Sequence, residues 1–388
     1  LVDVYAKLGE FDGASKVFKG LSNQDVVLWG ALIGGHTHHG HGHIALELFD
    51  GLMNKTHLNP DMAILLSIVL ACTQVRNGSK GRIIHGLIVE NDLELNAAIG
   101  SSLIRMYATC GCLLEAHQIF DRLQDRDIIS WGAIMAGYME HGQCQRVINL
   151  YSRMRDEDCR HEVDRVVLMN LLGACSGIGD ITLGRKIHDQ VMTRNDVLLF
   201  DDVDVGNAFV NMYVKCGSLE RSKKTLESLP VRDTIAWNAL ITGYVKSGHN
   251  KEAMDCFHRM CNEDMSWPDS ITYSCILKAC ANIECLEKGK EIHGEIIKKG
   301  ILESDDLIGS VLVDMYVNCG FLEEARLLFD KLTVQDVIAW TTVMLGYVEQ
   351  GYAQEALECF QHMQVKGILP DKFSLVSGLI ACADIRAI

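Results

Sequence analysis

Histidines next to acidic residues are the strongest candidates for catalysis in this chain. His293-Gly294-Glu295 matches half of the His-x-Glu plus Pro-Cys-x-x-Cys pattern with which zinc deaminases bind the metal and transfer protons. The equivalent positions of two similar segments are His85-Gly86-Leu87 and His188-Asp189-Gln190, and Cys-x-x-Cys occurs nowhere in the sequence. A repeated pattern therefore explains the histidine, and we expect no catalytic site in this chain.

A second candidate is a dense group of histidines near the N-terminus. Several imidazoles close together can bind a transition metal. The group lies where other parts of the chain carry ordinary polar residues, such as residues 140–145, so we expect a solvated turn without a metal or another cofactor. The sequence also has no Gly-x-x-x-x-Gly-Lys-Ser/Thr phosphate loop. The histidines of this group are His36, His38, His39, His41 and His43.

The cysteines recur in phase with a longer pattern. Some follow alanine and others precede glycine, always at corresponding places. Small apolar thiols at regular positions indicate buried packing residues in a reducing compartment, and disulfides are the less favoured alternative. The cysteines that follow alanine are Cys72, Cys175, Cys280 and Cys382, and those that precede glycine are Cys110, Cys216 and Cys319.

Composition restricts the class of protein. The 388 residues are 48% hydrophobic and 22% charged, which supports a continuous packed core. The longest apolar run, residues 62–72, is too short to cross a membrane. The formal net charge of −15 is unfavourable for binding nucleic acid through phosphates, so any such function must rest on other contacts.

Four similar sequence segments, each centred on a tryptophan, divide the chain into long repeating units, which we call large periods. Trp29, Trp131, Trp237 and Trp340 are separated by 102, 106 and 103 residues. Such a period indicates stacked units that bury their apolar faces against one another. The tryptophans are expected to pack in the core, and the pattern starts in mid-phrase at Leu1, which suggests part of a longer array.

Each large period divides into three helical hairpins. The first contains Trp followed by Gly-Tyr, the second Ala-Cys followed by Ile-His, and the third Met-Tyr followed by Cys-Gly. Turn glycines such as Gly142, Gly248 and Gly351 separate the helices of a hairpin. Apolar residues recur at helical spacing in the second helices, as in Ala253, Met254 and Phe257.

These phrases resemble the plant organellar pentatricopeptide-repeat family, in the subclass that alternates ordinary, long and short motifs. The resemblance implies an all-α, right-handed superhelical solenoid of helix-turn-helix repeats that spans residues 1–388. Ordinary motifs would occupy 26–61, 128–164, 234–269 and 337–371, long motifs 62–96, 165–202 and 270–305, and short motifs 97–127, 203–233 and 306–336. A partial short motif would occupy 1–25 and a partial long motif 372–388.

The resemblance also implies which residues would contact RNA. In such arrays each repeat recognises one base through its fifth and last residues. The family pattern assigns uracil to Asn with Asp, and guanine to Ser or Thr with Asp. The strongest pairs are Ser101 with Asp127, Asn207 with Asp233, Asn238 with Asp269, Ser310 with Asp336, and Thr341 with Asp371.

Weaker contacts are expected at three other sets of positions. Gly30 with Asp61 and Gly132 with Asp164 have no fifth side chain. The long motifs offer Leu66 with Asn96, Met169 with Asp202 and Ser274 with Asp305, and of these fifth residues the leucine and the methionine cannot hydrogen-bond a base edge. The apolar residue three places before the fifth position is expected to stack on bases, as at Val27, Ile129, Ile235, Leu307 and Ile338, whereas Ala98 and Asp204 depart from this pattern. Lys7, Lys215 and Lys246 are candidate phosphate contacts.

The resemblance implies a non-catalytic protein that binds single-stranded RNA selectively in a chloroplast or mitochondrion. The expected role is site selection for C-to-U editing, with editing-complex proteins as partners, or RNA processing or stabilisation. The alternative is a protein-interaction scaffold whose concave groove binds a peptide, which the acidic composition slightly favours. No membrane partner is expected.

Overall fold

Helical hairpins account for all the regular structure in the described residues. In this computed structural model those are residues 1–21, 24–55, 58–90, 97–157, 163–193, 202–262, 266–332 and 334–385. The chain divides into two compact units, Leu1–Gly184 and Arg185–Ile388. The expected all-helical fold is confirmed; a single continuous array over the whole chain stays a prediction.

The first unit contains helices α1 to α11 and the start of α12. Paired helices follow one another along the chain, separated by short turns. Their bounds are α1 Val2–Leu8, α2 Phe11–Gly20, α3 Val26–His38, α4 Gly42–Lys55, α5 Met62–Gln74, α6 Gly78–Glu90, α7 Ala97–Thr109, α8 Leu113–Arg122, α9 Ile128–Glu140, α10 Cys144–Glu157, α11 Arg165–Ile178 and α12 Ile181–Thr193.

The second unit continues the same arrangement. A short extra helix, α19, follows one of the hairpins. The bounds are α13 Val203–Lys215, α14 Leu219–Ser228, α15 Thr234–Lys246, α16 Asn250–Asn262, α17 Ser270–Asn282, α18 Leu286–Lys298, α19 Ile301–Ser304, α20 Asp306–Asn318, α21 Leu322–Lys331, α22 Val337–Glu349, α23 Ala353–Val365 and α24 Lys372–Asp384.

The first helices of consecutive hairpins pack side by side. In the first unit α1, α3, α5, α7, α9 and α11 form one such row, and in the second unit α13, α15, α17, α20, α22 and α24 form another. Most first helices also pack on the second helix of their own hairpin. Equivalent positions of the first helices are therefore presented at successive places along each unit.

Aspartates fix where the first helices begin. From α3 onward, every first helix starts at the first residue of a predicted motif. Where the residue before a first helix is an aspartate, that aspartate is the N-cap of the helix. Its carboxylate accepts a hydrogen bond from a backbone N–H of the first turn, as Asp127 does from the Ser130 N–H at 2.8 Å. An N-cap of this kind stabilises a helix by about 1 kcal/mol.

The tryptophans pack in the core, as expected from the sequence. Trp131, Trp237 and Trp340 are almost completely buried and Trp29 nearly so. Trp131 contacts the edge of Phe120 with ring centroids 4.6 Å apart, and Trp340 meets Phe329 in the same way. Trp29, Trp131 and Trp340 thus each join the first helix of one hairpin to a phenylalanine on the second helix of the preceding one.

The recurring histidines and cysteines have structural roles. His85, His188 and His293 each place Nδ1 2.9 to 3.1 Å from a tyrosine hydroxyl of the next hairpin, on Tyr107, Tyr213 and Tyr316. Cys72, Cys175 and Cys280 are fully buried, and the cysteines of the described residues are free thiols. Burial raises the pKa of Cys72 and of Cys280 to about 12, so both remain protonated.

The N-terminal histidine group differs from the solvated turn that the sequence predicts. His36 lies inside α3, is 6% exposed and stacks on Phe11 with ring centroids 3.9 Å apart. His39 and His41 contact the same phenyl ring at 5.3 and 5.1 Å. The prediction was wrong for His36 because its aromatic partner belongs to the preceding hairpin, which local sequence comparison does not reveal.

Candidate nucleic-acid interface

A large apolar side chain is exposed at the second position of most first helices. These side chains are between 49% and 73% exposed, although their type would favour burial. In the first unit they are Val27, Ile129 and Val166, and in the second unit Ile235, Ile271, Leu307, Ile338 and Phe373. We call these two sets the apolar rows.

Three members of the apolar rows were missed by the sequence analysis. Val166, Ile271 and Phe373 belong to long motifs, whose polar positions are poor base-contacting candidates. Their exposure of 49%, 59% and 56% nevertheless matches that of the other members. All three stand three places before the fifth position of their motif, which is the same spacing that identified the other members from the sequence.

The fifth-position side chains lie deeper than expected. Ser101, Asn207, Asn238 and Thr341 are only 6% to 9% exposed, and Ser310 is half-buried. Asn238 is contacted by Thr272 on the first helix of the next hairpin. Less than a tenth of the surface of Ser101, Asn207, Asn238 or Thr341 is accessible to solvent. A ligand can therefore contact only an edge of each side chain.

Asn207 and Asn238 are hydrogen-bonded to the last residue of their own motif. The amide of Asn207 donates to Asp233 Oδ2 at 3.0 Å, and that of Asn238 donates to both carboxylate oxygens of Asp269 at 3.0 and 3.1 Å. The fifth and last positions that the sequence paired are therefore in direct contact at these two hairpins. A carboxylate that holds one amide N–H fixes the orientation of the whole carboxamide.

The two asparagines differ in their acceptor oxygens. Asn238 Oδ1 accepts a hydrogen bond from the Thr272 hydroxyl at 2.6 Å. Asn207 Oδ1 is buried and has no partner within the described part of the chain. A buried acceptor without a partner is uncommon in proteins and costs about 1–3 kcal/mol. Asn207 Oδ1 is therefore an acceptor that no described residue satisfies.

The hydroxyl-bearing fifth residues bond within their own helices. Thr341 Oγ1 donates to the carbonyl oxygen of Val337 at 2.7 Å, which leaves its lone pairs as acceptors. Ser101 Oγ makes a longer contact of 3.5 Å with the carbonyl oxygen of Ala98. Unlike the two asparagines, Thr341 donates to a backbone carbonyl oxygen of its own helix and not to the last residue of its motif.

The last-position aspartates serve as N-caps in addition to any contact with a ligand. In each case a carboxylate oxygen accepts from a backbone N–H of the following helix. Although burial acts in the opposite direction, hydrogen bonds from Thr272 and Asn238 lower the pKa of Asp269, so it is ionised at neutral pH. The caps are Asp61, Asp127, Asp164, Asp202, Asp233, Asp269, Asp305, Asp336 and Asp371.

The long-motif positions are less polar, as the sequence indicates. Met169 and Ser274 are half-buried on α11 and α17, and Leu66 lines a cavity on α5. Asn96, the sequence partner of Leu66, lies outside the described residues. Gly30 and Gly132 leave backbone at the fifth position, where a Cβ would lie 3.4 Å from Ile64 and 3.3 Å from Val166 respectively.

Two cavities border the apolar row of the first unit. One, of about 430 Å³, lies along α5 and α7 and includes Ser101 and Leu66 in its wall. The other, of about 280 Å³, lies along α7, α9 and α11 and includes Gly132 and Asp164. Arg105 and Ile129 line both. Arg105 was not identified by sequence reasoning, which searched for cations only at the ends of first helices.

Few cations face this surface. Lys215 and Lys246 are exposed at the ends of α13 and α15, whereas Lys7 pairs with Asp3 at 2.9 Å. Several arginines instead pair with acids on second helices, for example Arg82 with Glu115 and Arg259 with Glu227, both at 2.7 Å. Within the described ranges, no group of three or more His, Cys, Asp or Glu side chains could hold a metal ion.

Comparison with known proteins identifies the repeats. The PPR repeat family model matches residues 232–282 and 335–384, and the PPR repeat model matches 1–25, 27–55, 101–128, 129–159, 271–301 and 310–337. Together they cover more than half of the chain. Among the helices that the structure describes, none has the length and apolar character needed to cross a bilayer.

Curated relatives match along the whole chain. A chloroplastic pentatricopeptide repeat-containing protein of Arabidopsis thaliana is 33% identical over 387 residues, which are 100% of this chain and 61% of the relative. A mitochondrial one from the same plant is 31% identical over 389 residues, 100% of this chain and 37% of the relative. The chain thus spans about three fifths or less of these proteins.

A solved structure shares the fold. The crystal structure of the pentatricopeptide repeat protein PPR10 in complex with an 18-nucleotide psaJ RNA element superposes with a TM-score of 0.79 at 16% identity. The match covers 99% of this chain and 57% of that chain. The solenoid fold of helix-turn-helix repeats is thereby established. The repeat models show that this chain belongs to the pentatricopeptide-repeat family.

Proposed function

We propose that this chain binds single-stranded RNA along its first helices, one base per hairpin. The observation that carries the proposal is the exposed apolar residue at the second position of most first helices. Stacking of bases on such side chains gives affinity that does not depend on sequence. The neighbouring fifth and last residues supply the hydrogen-bonding groups that distinguish one base from another. PPR10, which shares the fold, was solved with RNA bound.

The geometry at Asn207 supports uracil recognition in chemical terms. Uracil offers an N3–H donor between two carbonyl acceptors, and a carboxamide offers both a donor and an acceptor. Asp233 holds one amide N–H of Asn207, which leaves the Oδ1 acceptor without a partner. An N3–H donor placed against Oδ1 would satisfy this buried atom.

The resulting site, from 5′ to 3′, is G, unspecified, U or unspecified, U, U, G or unspecified, G, G. Ser101 begins this series and Thr341 ends it. Hydroxyl and carboxylate oxygens at the guanine positions would accept the N1–H and N2–H donors that guanine presents. We use 5′-GNUUUGGG-3′ as the reference RNA, in which N is any base.

We further propose the subclass and the role. From Ala97 to Ile128, from Val203 to Thr234 and from Asp306 to Val337 the first helices start 31 residues apart. The other intervals from α3 onward are longer, which supports an alternation of ordinary, long and short motifs. The relatives are named chloroplastic or mitochondrial, which supports an organellar location. In this setting the chain would select a site for C-to-U editing or RNA processing, while other segments or proteins perform the chemistry.

A protein-interaction scaffold is the competing function, because an acidic surface and an apolar row also suit a basic peptide. Fluorescence anisotropy at low salt separates the two. We expect labelled 5′-GNUUUGGG-3′ to bind and its duplex with a complementary strand to bind far more weakly. Equal binding of duplex and single strand, or binding of a polylysine peptide but not of RNA, would contradict the proposal.

A further inference from the structure

Gly132 leaves an opening in the candidate RNA-binding surface that another side chain would fill. Gly132 has no side chain, and an added Cβ would lie only 3.3 Å from Val166 Cγ1 on the next first helix, so a larger residue would displace Val166 or narrow the cavity. The cavity there, of about 280 Å³, is bordered by α7, α9 and α11, all within the first unit. In the family pattern the fifth side chain helps to select the base, and because Gly132 has none, this hairpin would be expected to accept any base.

The walls of this cavity have the shape and polarity of a base-binding site. Ile129 and Val166, two members of the apolar row that are 57% and 49% exposed, border it with apolar surface. Arg105 contributes a guanidinium with donors only, and Asp164 and Glu140 contribute carboxylates with acceptors only. Arg105 forms no ion pair with either acid, nor with any other acid of the described chain, so its donors remain available.

Guanine matches this combination of one guanidinium and two carboxylates most fully. It presents the adjacent acceptors O6 and N7, which a guanidinium can bind with two hydrogen bonds, and the donors N1–H and N2–H for the carboxylates. Adenine places an amino group where Arg105 would donate. Cytosine offers the acceptors N3 and O2 but a single donor group, N4–H2, for the two carboxylates. Asp164 uses Oδ1 to cap α11 through the N–H of Val167, which leaves Oδ2 for a ligand.

We propose that the cavity at Gly132 is a guanine-specific site in which Arg105 recognises O6 and N7. The proposal rests on the RNA-binding function above and replaces an unspecified position in the reference RNA by guanine. The site is then 5′-GGUUUGGG-3′. Arg105 is a specificity-determining residue that lies one helical turn beyond Ser101 on α7, so adjacent bases would contact neighbouring turns of one helix.

Binding of four RNAs tests this proposal. The probes are 5′-GNUUUGGG-3′ with N as G, A, C or U, measured by fluorescence anisotropy. We expect the probe with G to bind about tenfold more tightly than the other three. In Arg105→Gln only this probe should weaken, to the level of the others. Arg122→Gln, which removes an exposed arginine at the end of α8, should leave all four unchanged.

A second variant fills the cavity. Gly132→Asn places a carboxamide beside Asp164, and half-exposed Val166 can shift to accept it, so the preference should change from G to U. A flat response of the unaltered protein across the four probes would overturn the guanine site while leaving RNA binding intact. Equal weakening of all four by Arg105→Gln would mean a phosphate contact and would also overturn it. Failure of every probe to bind would overturn both proposals.

Discussion

Asn207 and Asn238 occupy equivalent positions but have different hydrogen bonds. Both amides are held by a carboxylate, yet only Asn238 Oδ1 is already bonded, to Thr272. A uracil N3–H would meet an open acceptor at Asn207 but would compete with the threonine hydroxyl at Asn238. Within the second unit, discrimination should therefore be stronger at the Asn207 hairpin.

Exchanging the fifth residue should change the preferred base. Asn238→Thr removes the carboxamide and leaves a hydroxyl beside Asp269, which suits the donors of guanine. We expect 5′-GNUUGGGG-3′ to bind this variant better than 5′-GNUUUGGG-3′, with a change in relative free energy of binding of about 1–3 kcal/mol. Competition binding with the two RNAs gives the ratio.

The control for this exchange is Asn262→Thr, at the exposed end of the second helix α16. It should keep the preference for uracil. An unchanged preference in Asn238→Thr would show that the fifth side chain of this hairpin does not contact the base.

At the scale of the helices, Asp233 and Asp269 each have two tasks. Each caps the next first helix and accepts a hydrogen bond from the fifth residue of its own motif. The recurrence of aspartate is therefore explained by helix capping alone, and it is weaker support for RNA binding than its regularity in the sequence implies. Separating the two tasks requires a substitution that keeps the cap.

Asp233→Asn provides that separation. Asparagine caps helices as well as aspartate does, but its amide would face the amide of Asn207, donor to donor. We expect an unchanged melting temperature and weaker binding of 5′-GNUUUGGG-3′. Asp233→Ala should also lose about 1 kcal/mol of unfolding free energy, because the cap of α15 is removed. Identical binding by Asp233→Asn and the unaltered protein would exclude a role of Asp233 in recognition.

The histidine–tyrosine pairs between hairpins make stability depend on pH. Burial lowers the pKa of His85, His188 and His293 in the folded chain. These rings therefore stay neutral in the folded chain at a pH at which the unfolded chain has already protonated them. The contribution of these histidines to the free energy of unfolding is complete above about pH 6.5, the ordinary pKa of histidine. It falls as the pH drops below that value towards the lower pKa that the rings have in the folded chain.

Thermal melting at about pH 7.5 and about pH 5.5 measures this effect. The chain should melt at a lower temperature at the acidic pH. A variant in which His85, His188 and His293 are all replaced by asparagine should lose part of this difference. The account of these pairs fails if the triple variant keeps the full pH dependence.

The hairpins were more predictable than the contacts between them. Aspartate, proline and glycine signals lie close in sequence to the helix ends they fix, so the motif starts coincide with helix starts. The burial of His36 on Phe11, the covering of Asn238 by Thr272 and the position of Arg105 between two cavities depend on neighbouring hairpins. Local sequence patterns contain no direct information on such contacts.

At the scale of the whole molecule, the negative charge limits the contribution of phosphates. The net charge is −15, and several arginines are paired with acids on second helices. Arg105, Lys215 and Lys246 are the exposed cations that this account places near the RNA. Base contacts must therefore supply most of the affinity.

The salt dependence of binding tests this balance. With roughly two phosphate contacts, from Lys215 and Lys246, the logarithm of the binding constant should fall with the logarithm of salt with a slope of about −1.4. Lys215→Gln with Lys246→Gln should make the slope shallower. A slope that corresponds to about eight or more released counterions would contradict the account.

Photo-crosslinking of 4-thiouridine tests the central claim, one base per hairpin along the first helices, most directly. Placed at the fourth base of 5′-GNUUUGGG-3′, the probe should crosslink to the start of α13 or α15, near Asn207 and Ile235. Placed at the fifth base, it should crosslink one hairpin further, near Asn238 and Ile271. Crosslinks that do not move with the probe, or that map to the second helices α14 and α16, would contradict the account.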